Sequence, residues 1–493
     1  MGFLEFDFSA LFTLTNLLCI LLGTFIGILI GAIPGLGPII AIVLLLPLTF
    51  SMSPLSAVLM LLAAFQGAEY GGSISSIVLG IPGTTANIAT VFDGHALARN
   101  SSPGKALAYS LTASTIGGFI GGLVLLFLSV PVSALALNFS SPEFFLIGVF
   151  SLIAVSGISS ADKTKSIISG ILGLMASTVG MDMFSGQQRF TFGQSALLDG
   201  ISIIALTVGM FALTEIFSMI SEGAGKRQEG NTVNLSTKIN WKEIKRILKP
   251  SFTGSGLGAF FGVLPGIASG TASFVAYSTA QKMSKKPETF GKGNPEGIAG
   301  PESANNSFVG SSMVPLLTLG IPGSPVIAVI MGAFIIHGIQ PGPKLFEIES
   351  QLVYGILIGF LFTTVAMYFM GRLLTPMFAR ILVIPNYILI PIILVLSFVG
   401  VYVEKALLFD VWFAIIVGIV FFILKVLDFS LPSFILAFVL GPIMEENLRR
   451  ALLVSDGSYL IFLTRPYSLA ILMLIVITAV FIFFRNKKKE GAA

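Results

Sequence analysis

Two seven-residue stretches hold the chemistry of this sequence: Leu79-Gly80-Ile81-Pro82-Gly83-Thr84-Thr85 and Leu319-Gly320-Ile321-Pro322-Gly323-Ser324-Pro325. Both sit in long apolar regions, yet neither can continue a helix. Proline has no amide to donate, and glycine takes backbone angles that other residues avoid. Where a helix restarts after such a break, its first amides are unpaired and carry partial positive charge. An interaction there is worth about 0.3–1 kcal/mol, or up to roughly 2 kcal/mol when partly buried. This favours an anion, and a carboxylate is a good fit. The candidate contacts are Gly80, Pro82, Gly83, Thr84, Thr85 and Asn87 around the first break. Around the second they are Asn305, Asn306, Gly320, Pro322, Gly323 and Ser324. Hydroxyls cap a helix and touch a ligand, and amides both donate and accept. A plainer reading stays open, in which the breaks are kinks and the hydroxyls only cap.

Each break follows a polar strip: Gln66, Glu69, Tyr70 and Ser73 to Ser76 before the first, Pro301 to Ser307 before the second. Carrying a trivalent anion into an inside-negative compartment meets roughly 7 kcal/mol at 100 mV, at about 2.3 kcal/mol per charge. The chain has no Gly-x-x-x-x-Gly-Lys-Ser/Thr loop, so ATP hydrolysis by that route is excluded. A co-moving Na⁺ or H⁺ is the economical solution. Sodium wants oxygens, which the unwound backbone, Ser73, Glu302, Asn305 and Ser307 offer. Glu302 and Asp93 are the candidate acids, since a buried carboxylate costs about 2.5–3.5 kcal/mol and needs a partner. Each also fits a solvated loop mouth or a helix cap, and for Asp93 that fits better. His95 and His337 read as loop histidines, and Asp182, Asp199 and Glu215 as loop or interface acids. No metal other than Na⁺ and no cofactor is expected.

The elements that hold these residues are membrane helices. Of 493 residues, 55% are hydrophobic and only 11% charged, and mean hydropathy is +0.95. A soluble domain is nearer a quarter charged, and the long continuous apolar runs argue against a barrel. The expected fold is all-α and polytopic, with about ten to twelve spans of roughly 20 residues plus hairpins and broken helices. The single Cys19 excludes an internal disulfide and reads as a buried small hydrophobe. With two histidines, a Cys/His zinc cluster is also excluded. Glu5 and Asp7 precede the first apolar run, unlike a cleavable export signal.

The order along the chain repeats. An apolar helix over 11–33 ends at a hairpin turn on Pro34 and Gly35, and a shorter run follows over 39–50. The same pattern returns at Gly262, turning on Pro265 and Gly266, offset by 231 residues from Gly31. The breaks are offset by 240, from Gly80 to Gly320. Plain spans are expected near 106–130, 142–157, 166–184, 196–220, 351–371, 382–402, 406–424, 430–444 and 466–484. Residues 93–99 read as a loop. The chain divides into a first membrane repeat, 1–221, a basic cytoplasmic segment, 222–250, and a second membrane repeat, 251–493. Around Trp241 the basic segment is either a short helix on the membrane surface or a simple linker. Lysine clusters after the second hairpin but not the first, and charge after the breaks shifts the opposite way. The two repeats therefore read as inverted in topology, with the C-terminus, Arg485 to Lys489, in the cytoplasm. Arg449 and Arg450 fit this count poorly.

These residues resemble the large membrane subunit, or TctA-type permease, of the tripartite tricarboxylate transporters. The likeness rests on Gly-x-x-Pro-Gly near the start and on Tyr70-Gly71-Gly72-Ser73 leading to Gly80-Ile81-Pro82-Gly83 and Asp93-Gly94. It rests equally on Pro301 to Ser307 leading to Gly320-Ile321-Pro322-Gly323 and Gly342-Pro343. It covers most of 15–350, and the flanks of the two breaks differ from one another. The resemblance implies a cation-coupled importer of citrate or a related carboxylate in a bacterial inner membrane. It also implies a small four-helix membrane subunit and a periplasmic substrate-binding protein as partners, and no nucleic acid. Alternatives are a permease for an aromatic or sugar acid, or a membrane scaffold that transports nothing. Neither Gly-x-Gly-Asp nor Gly-x-Ser-Gly of intramembrane proteases is present, so an enzyme is not expected.

Overall fold

The computed structural model describes residues 6–158, 163–221, 239–381 and 386–490. The first half contributes α1 (Leu14–Ala32), α2 (Gly37–Leu45), α3 (Pro54–Val78), α4 (Ile88–Asn100), α5 (Pro103–Ala136), α6 (Ser141–Ile158), α7 (Lys163–Ser177) and α8 (Ile203–Ser221). The second contributes α9 (Trp241–Val263), α10 (Ser269–Met283), α11 (Pro295–Ser311), α12 (Met313–Leu319), α13 (Pro325–Ile336) and α14 (Ser350–Ile381). It ends with α15 (Asn386–Lys405), α16 (Leu408–Val426), α17 (Leu431–Val454) and α18 (Pro466–Glu490). Among the described residues, eight helices are long and apolar enough to cross a membrane: α1, α3, α5, α8 and α14 to α17. The apolar segments Gly37–Ser51, Ser141–Ala154, Pro325–Ile336 and Pro466–Val480 are shorter. The protein is an all-α, multi-pass membrane protein.

The polar strips are helical: α3 runs unbroken through Gln66 to Ser76, and α11 contains Pro301 to Ser307. Their neighbours are protein, so the side chains find partners without leaving the helix. Several local expectations change. Residues 93–99, read as a loop, lie inside α4. Trp241 does not belong to a separate surface helix but opens the 23-residue α9. Its start is fixed by a capping box, in which Asn240 accepts from the Glu243 amide at 2.9 Å and Glu243 accepts from the Asn240 amide at 2.7 Å. The rest of the basic linker, 222–238, lies outside the described residues. The span expected to reach 184 stops at Ser177 and gives way to a two-stranded antiparallel hairpin, Gly180–Met181 with Gln188–Arg189. Arg449 and Arg450, awkward for orientation, are both ion-paired: Arg449 with Asp182 and Glu445, Arg450 with Glu446.

Glycine seams set the packing. A Cβ on Gly23, Gly27 or Gly31 of α1 would lie 2.1–2.3 Å from the carbonyl oxygens of Met60, Ala64 and Ala68 on α3. Only glycine permits that approach, the usual way small residues join helices in a membrane. The second half repeats it. A Cβ on Gly254 or Gly258 of α9 would lie 2.3 and 2.1 Å from the oxygens of Gly300 and Ala304 on α11, and Gly262 faces Phe308. These partners keep the two offsets seen in the sequence, 231 for the glycines (Gly27 to Gly258) and 240 for what they touch (Ala64 to Ala304).

The halves are interlaced. Gly117 and Gly121 of α5 press on the Ser303 and Ser307 carbonyls of α11, where a Cβ would come within 2.2 and 2.3 Å. In return α14 covers α3. Gln66 donates to Thr364 at 2.8 Å and accepts from Thr363 at 2.7 Å, and Tyr70 shares a 2.9 Å bond with Thr375. Each polar strip is thus shielded by a long helix from the other half.

Candidate functional site

The breaks form as glycine and proline dictate. Gly80 and Gly320 take left-handed angles, φ 73° and 71°, which end α3 and α12. Each break is seated on a hairpin of its own half. A Cβ on Gly83 would meet the Gly31 oxygen and the Gly72 Cα at 2.5 Å. At the second break the Gly266 amide donates to the Gly323 carbonyl at 3.1 Å.

Both breaks and both hairpins open onto one cavity of about 1240 Å³. Five helices begin at its wall. Leu36 to Pro38 start α2, Thr84 and Thr85 lead through a short helical turn into α4, and Ala268 to Gly270 start α10. Ser324 and Pro325 start α13, and Ser430 to Pro432 start α17. Ser324 and Ser430 cap their own helices, accepting from the Ile327 and Ser433 amides at 3.2 and 3.3 Å. The starts of α2, α4 and α10 have no side-chain cap. So many positive helix ends on one chamber make it a place for an anion.

Two carboxylates are buried beside it, Glu69 at 2% exposure and Glu302 at 0%. Glu69 lines the cavity. It accepts from Thr84 Oγ1 at 3.0 Å, Asn305 Nδ2 at 3.1 Å and Ser269 Oγ at 3.4 Å. Glu302 lies behind and accepts from Asn87 Nδ2 at 3.0 Å, Thr90 Oγ1 at 2.6 Å, Ser110 Oγ at 3.2 Å and Ser114 Oγ at 3.0 Å. Thr84 Oγ1 is also 2.6 Å from Asn87 Oδ1, so its one proton serves either Glu69 or Asn87, and Thr84 sits between Glu69 and the Asn87–Glu302 bond. Among the described residues no lysine or arginine reaches either acid. Burial of a charge with neutral partners only is expensive and marks a functional position by default. The Asn305 and Asn306 side-chain oxygens are also buried there without a hydrogen-bond partner.

The expected residues fall into four groups. Pro82, Gly83, Thr84, Thr85, Ser324 and the turn glycines Gly35 and Gly266 line the cavity. Asn87, Asn305 and Glu302 form the polar layer behind it, and Asn306 donates to the Glu302 backbone at 3.2 Å. Gly80, Gly320, Pro322, Gly323, Pro34 and Pro265 shape the chain without lining the cavity. Ser73 and Ser307 are engaged elsewhere: Ser73 bonds the Tyr70 carbonyl and Ser110 at 2.7 Å each, and Ser307 the Ser255 carbonyl at 2.8 Å. Asp93, read as a loop acid, is fully buried. It accepts from Tyr277 Oη and the amides of Gly293 and Asn294 at 2.7–2.9 Å, pinning α4 to the start of α11. His95 lies in α4 and bonds the Ile77 carbonyl at 3.1 Å, and His337 caps the end of α13.

Sequence reasoning missed Glu69 as a site residue, although its place in a polar strip before a break was a usable signal. It also missed the start of α17 and the ion pair of Glu215 with Lys425, both on the cavity wall. Those had no local signal, because tertiary packing alone brings them to the breaks.

The comparisons agree with this architecture. Residues 17–436 match the family model described as tripartite tricarboxylate transporter TctA family. The chain is 36% identical over 490 residues to a protein of Agrobacterium vitis described as an uncharacterized 52.8 kDa protein in the TAR-I ttuC' 3' region, covering 99% of this chain and 97% of that one. A second protein of the same organism, described as an uncharacterized protein in the TAR-II ttuC' 3' region, is 39% identical over 236 residues, 47% of this chain and 98% of its own. No solved structure matches. A multi-pass helical chain with paired breaks, matched by that model over most of its length, belongs to the tripartite tricarboxylate transporter TctA family, whose members are the large membrane subunits of such systems.

Proposed function

We propose that this chain is the permease of a secondary transport system that imports a di- or tricarboxylate, of which citrate is one example, together with Na⁺ or H⁺. The observation that carries the reading is the meeting of five helix starts, two of them at the paired breaks, on one cavity beside a buried acid. The helix ends favour a carboxylate. Glu69, with the unpartnered Asn305 oxygen next to it, supplies oxygens for Na⁺ or a site for a proton. A co-moving cation also offsets the charge of the solute. On this reading Glu302 and Asn87 hold the first break against α11, and the two halves act as repeats of inverted topology. Ser73, through the Tyr70 carbonyl and Ser110, and Ser307, through the Ser255 carbonyl, support the coupling region rather than act as cation ligands.

The partners follow from the family: a small membrane subunit and a periplasmic binding protein that delivers the solute. The localisation is a bacterial inner membrane with the C-terminus in the cytoplasm. A second organic-anion reading, an aromatic acid, is favoured by Phe65, Phe211, Phe274 and Phe308 on the cavity wall. The test is solute uptake in proteoliposomes containing all three proteins. Accumulation of a radiolabelled carboxylate under an inward Na⁺ or proton gradient is expected. No accumulation under either gradient overturns the proposal, and accumulation of aromatic acids alone selects the second reading.

A further inference from the structure

One feature of the cavity wall has no counterpart at the breaks: its cationic side chains come from the last third of one half and the last third of the other. Lys165 of α7 and Lys425 of α16 line the cavity. Lys425 Nζ is 2.7 Å from Glu215 Oε2 and donates to Ser218 Oγ at 3.0 Å, both on α8. Lys165 Nζ donates to the Leu427 carbonyl at 2.9 Å, two residues beyond Lys425. Ser430, three residues further on, starts α17 on the same wall. Two ammonium groups and a helix start are thus gathered on a six-residue span, 425–430.

Glu215 is placed to respond to what the cavity holds. Its Oε1 lies 3.0 Å from where a Cβ of Gly35 would sit, so it abuts the first hairpin turn. Its side chain is 18% exposed and that of Lys425 43%, so the pair is reachable from the cavity. The lining acids are Glu69, Glu215 and Asp428, against the two lysines. An ammonium already matched by a carboxylate accepts another carboxylate by exchange of like for like, and the pair is the natural point for one.

We propose that Lys425 is the subsite for a second carboxylate of the solute, with Glu215 as the competing carboxylate built into the chain. The helix starts at the breaks take one carboxylate, and the Lys425 cluster takes another. A solute with a single carboxylate gains nothing from the cluster, so this pair sets the preference for di- and tricarboxylates. The inference rests on the proposed carboxylate reading of the cavity.

The two partners then have opposite effects, which a purely structural ion pair does not give. The test is binding of succinate, malate, citrate and butyrate to the purified full chain, followed by its thermal shift in detergent. Lys425→Gln is expected to weaken binding of the multivalent acids at least about tenfold and leave any butyrate response unchanged, while Lys425→Arg keeps most of the affinity. Glu215→Gln is expected to tighten the multivalent acids several-fold, because the competitor is gone and the hydrogen bond to Lys425 remains. Equal weakening in Lys425→Gln and Glu215→Gln, with the unmodified chain still binding, overturns the subsite alone. If the unmodified chain binds none of the four acids, the subsite falls, while the carboxylate reading is decided by uptake with all three proteins. Should Lys425→Gln fail to fold, the sign of the Glu215→Gln change decides.

Discussion

Asn87, just past the first break, donates from Nδ2 to the Glu302 carboxylate of α11 at 3.0 Å. The two residues are 215 apart in sequence and belong to different halves. Through this bond the first break is anchored to the helix that leads toward the second. The same nitrogen is 3.3 Å from the Glu69 carbonyl, so Asn87 also touches the helix before its own break.

Asn87→Ala should therefore do more than remove one bond. It leaves a buried carboxylate oxygen with Thr90 as its remaining donor and Thr84 without its amide partner. A buried group left unsatisfied costs about 1–3 kcal/mol. The expected outcome is a chain that still inserts and assembles, melts at a lower temperature in detergent, and transports poorly. Unchanged melting together with unchanged uptake would show that this bridge is incidental.

The glycine seams allow a control within one helix. Gly258 faces the Ala304 carbonyl, where a Cβ would come within 2.1 Å, whereas Gly256 two residues earlier has nothing within 4 Å. Gly258→Ala should separate α9 from α11 and destabilise the chain by about 1–3 kcal/mol. Gly256→Ala should be neutral, or stabilising by up to roughly 1 kcal/mol through helix propensity. The repeat adds that Gly27→Ala, which meets the Ala64 carbonyl at 2.3 Å, behaves like Gly258→Ala. Thermal melts of the three variants decide it, and equal melts for Gly256→Ala and Gly258→Ala would contradict the packing.

Much of the fold was legible because its punctuation is local. Gly80-Ile81-Pro82-Gly83 and its copy cannot be helix in any context, and Pro34-Gly35 and Pro265-Gly266 turn the chain for the same reason. The membrane class followed from composition alone. What was illegible depends on who the neighbours are. Gln66 had no assigned partner and Ser73 read as a cation ligand, because nothing near them in sequence shows that α14 and α5 cover them. Asp93 looked solvated because nothing near it in sequence satisfies a carboxylate, and its partners, Tyr277, Gly293 and Asn294, lie about 200 residues on. Glu215 and Lys425 are unremarkable single charges until packing sets them on the same wall as the breaks.

Away from the cavity, the hairpin after α7 is held by charge. Asp182 accepts from the Phe184 amide at 2.8 Å and from Arg449 at 3.0 Å. The Phe184 amide first, and Arg449 beside it, pull its carboxyl down to about 2. A depressed folded value means that this attachment is fully present above the ordinary aspartate range near roughly 3.9 and is lost as pH falls toward 2. Hydrogen-exchange protection of the hairpin amides should accordingly drop between pH 4 and 2, and Arg449→Gln should shift the start of that drop upward. Protection that stays flat over this range in both proteins would refute the attachment.

Glu69 gives the sharpest separation between binding a solute and driving it. Its Oε2 accepts from Thr84 and Asn305, and its Oε1 from Ser269. Glu69→Gln preserves this shape: the amide oxygen replaces Oε2 and keeps two donors, and the amide nitrogen faces a serine hydroxyl that accepts. The substitution therefore removes the negative charge and little else, and stands in for the acid with its proton bound. If Glu69 is where the co-moving cation is held, the variant is locked in the loaded state. It should exchange labelled for unlabelled carboxylate across a proteoliposome membrane, yet fail to accumulate solute when a Na⁺ or proton gradient is imposed. Thr84 links Glu69 to the Asn87–Glu302 bridge, so Glu302→Gln should impair exchange and accumulation together, because it loosens the first break itself. Gradient-driven accumulation at the unmodified rate in Glu69→Gln would place the coupling site elsewhere.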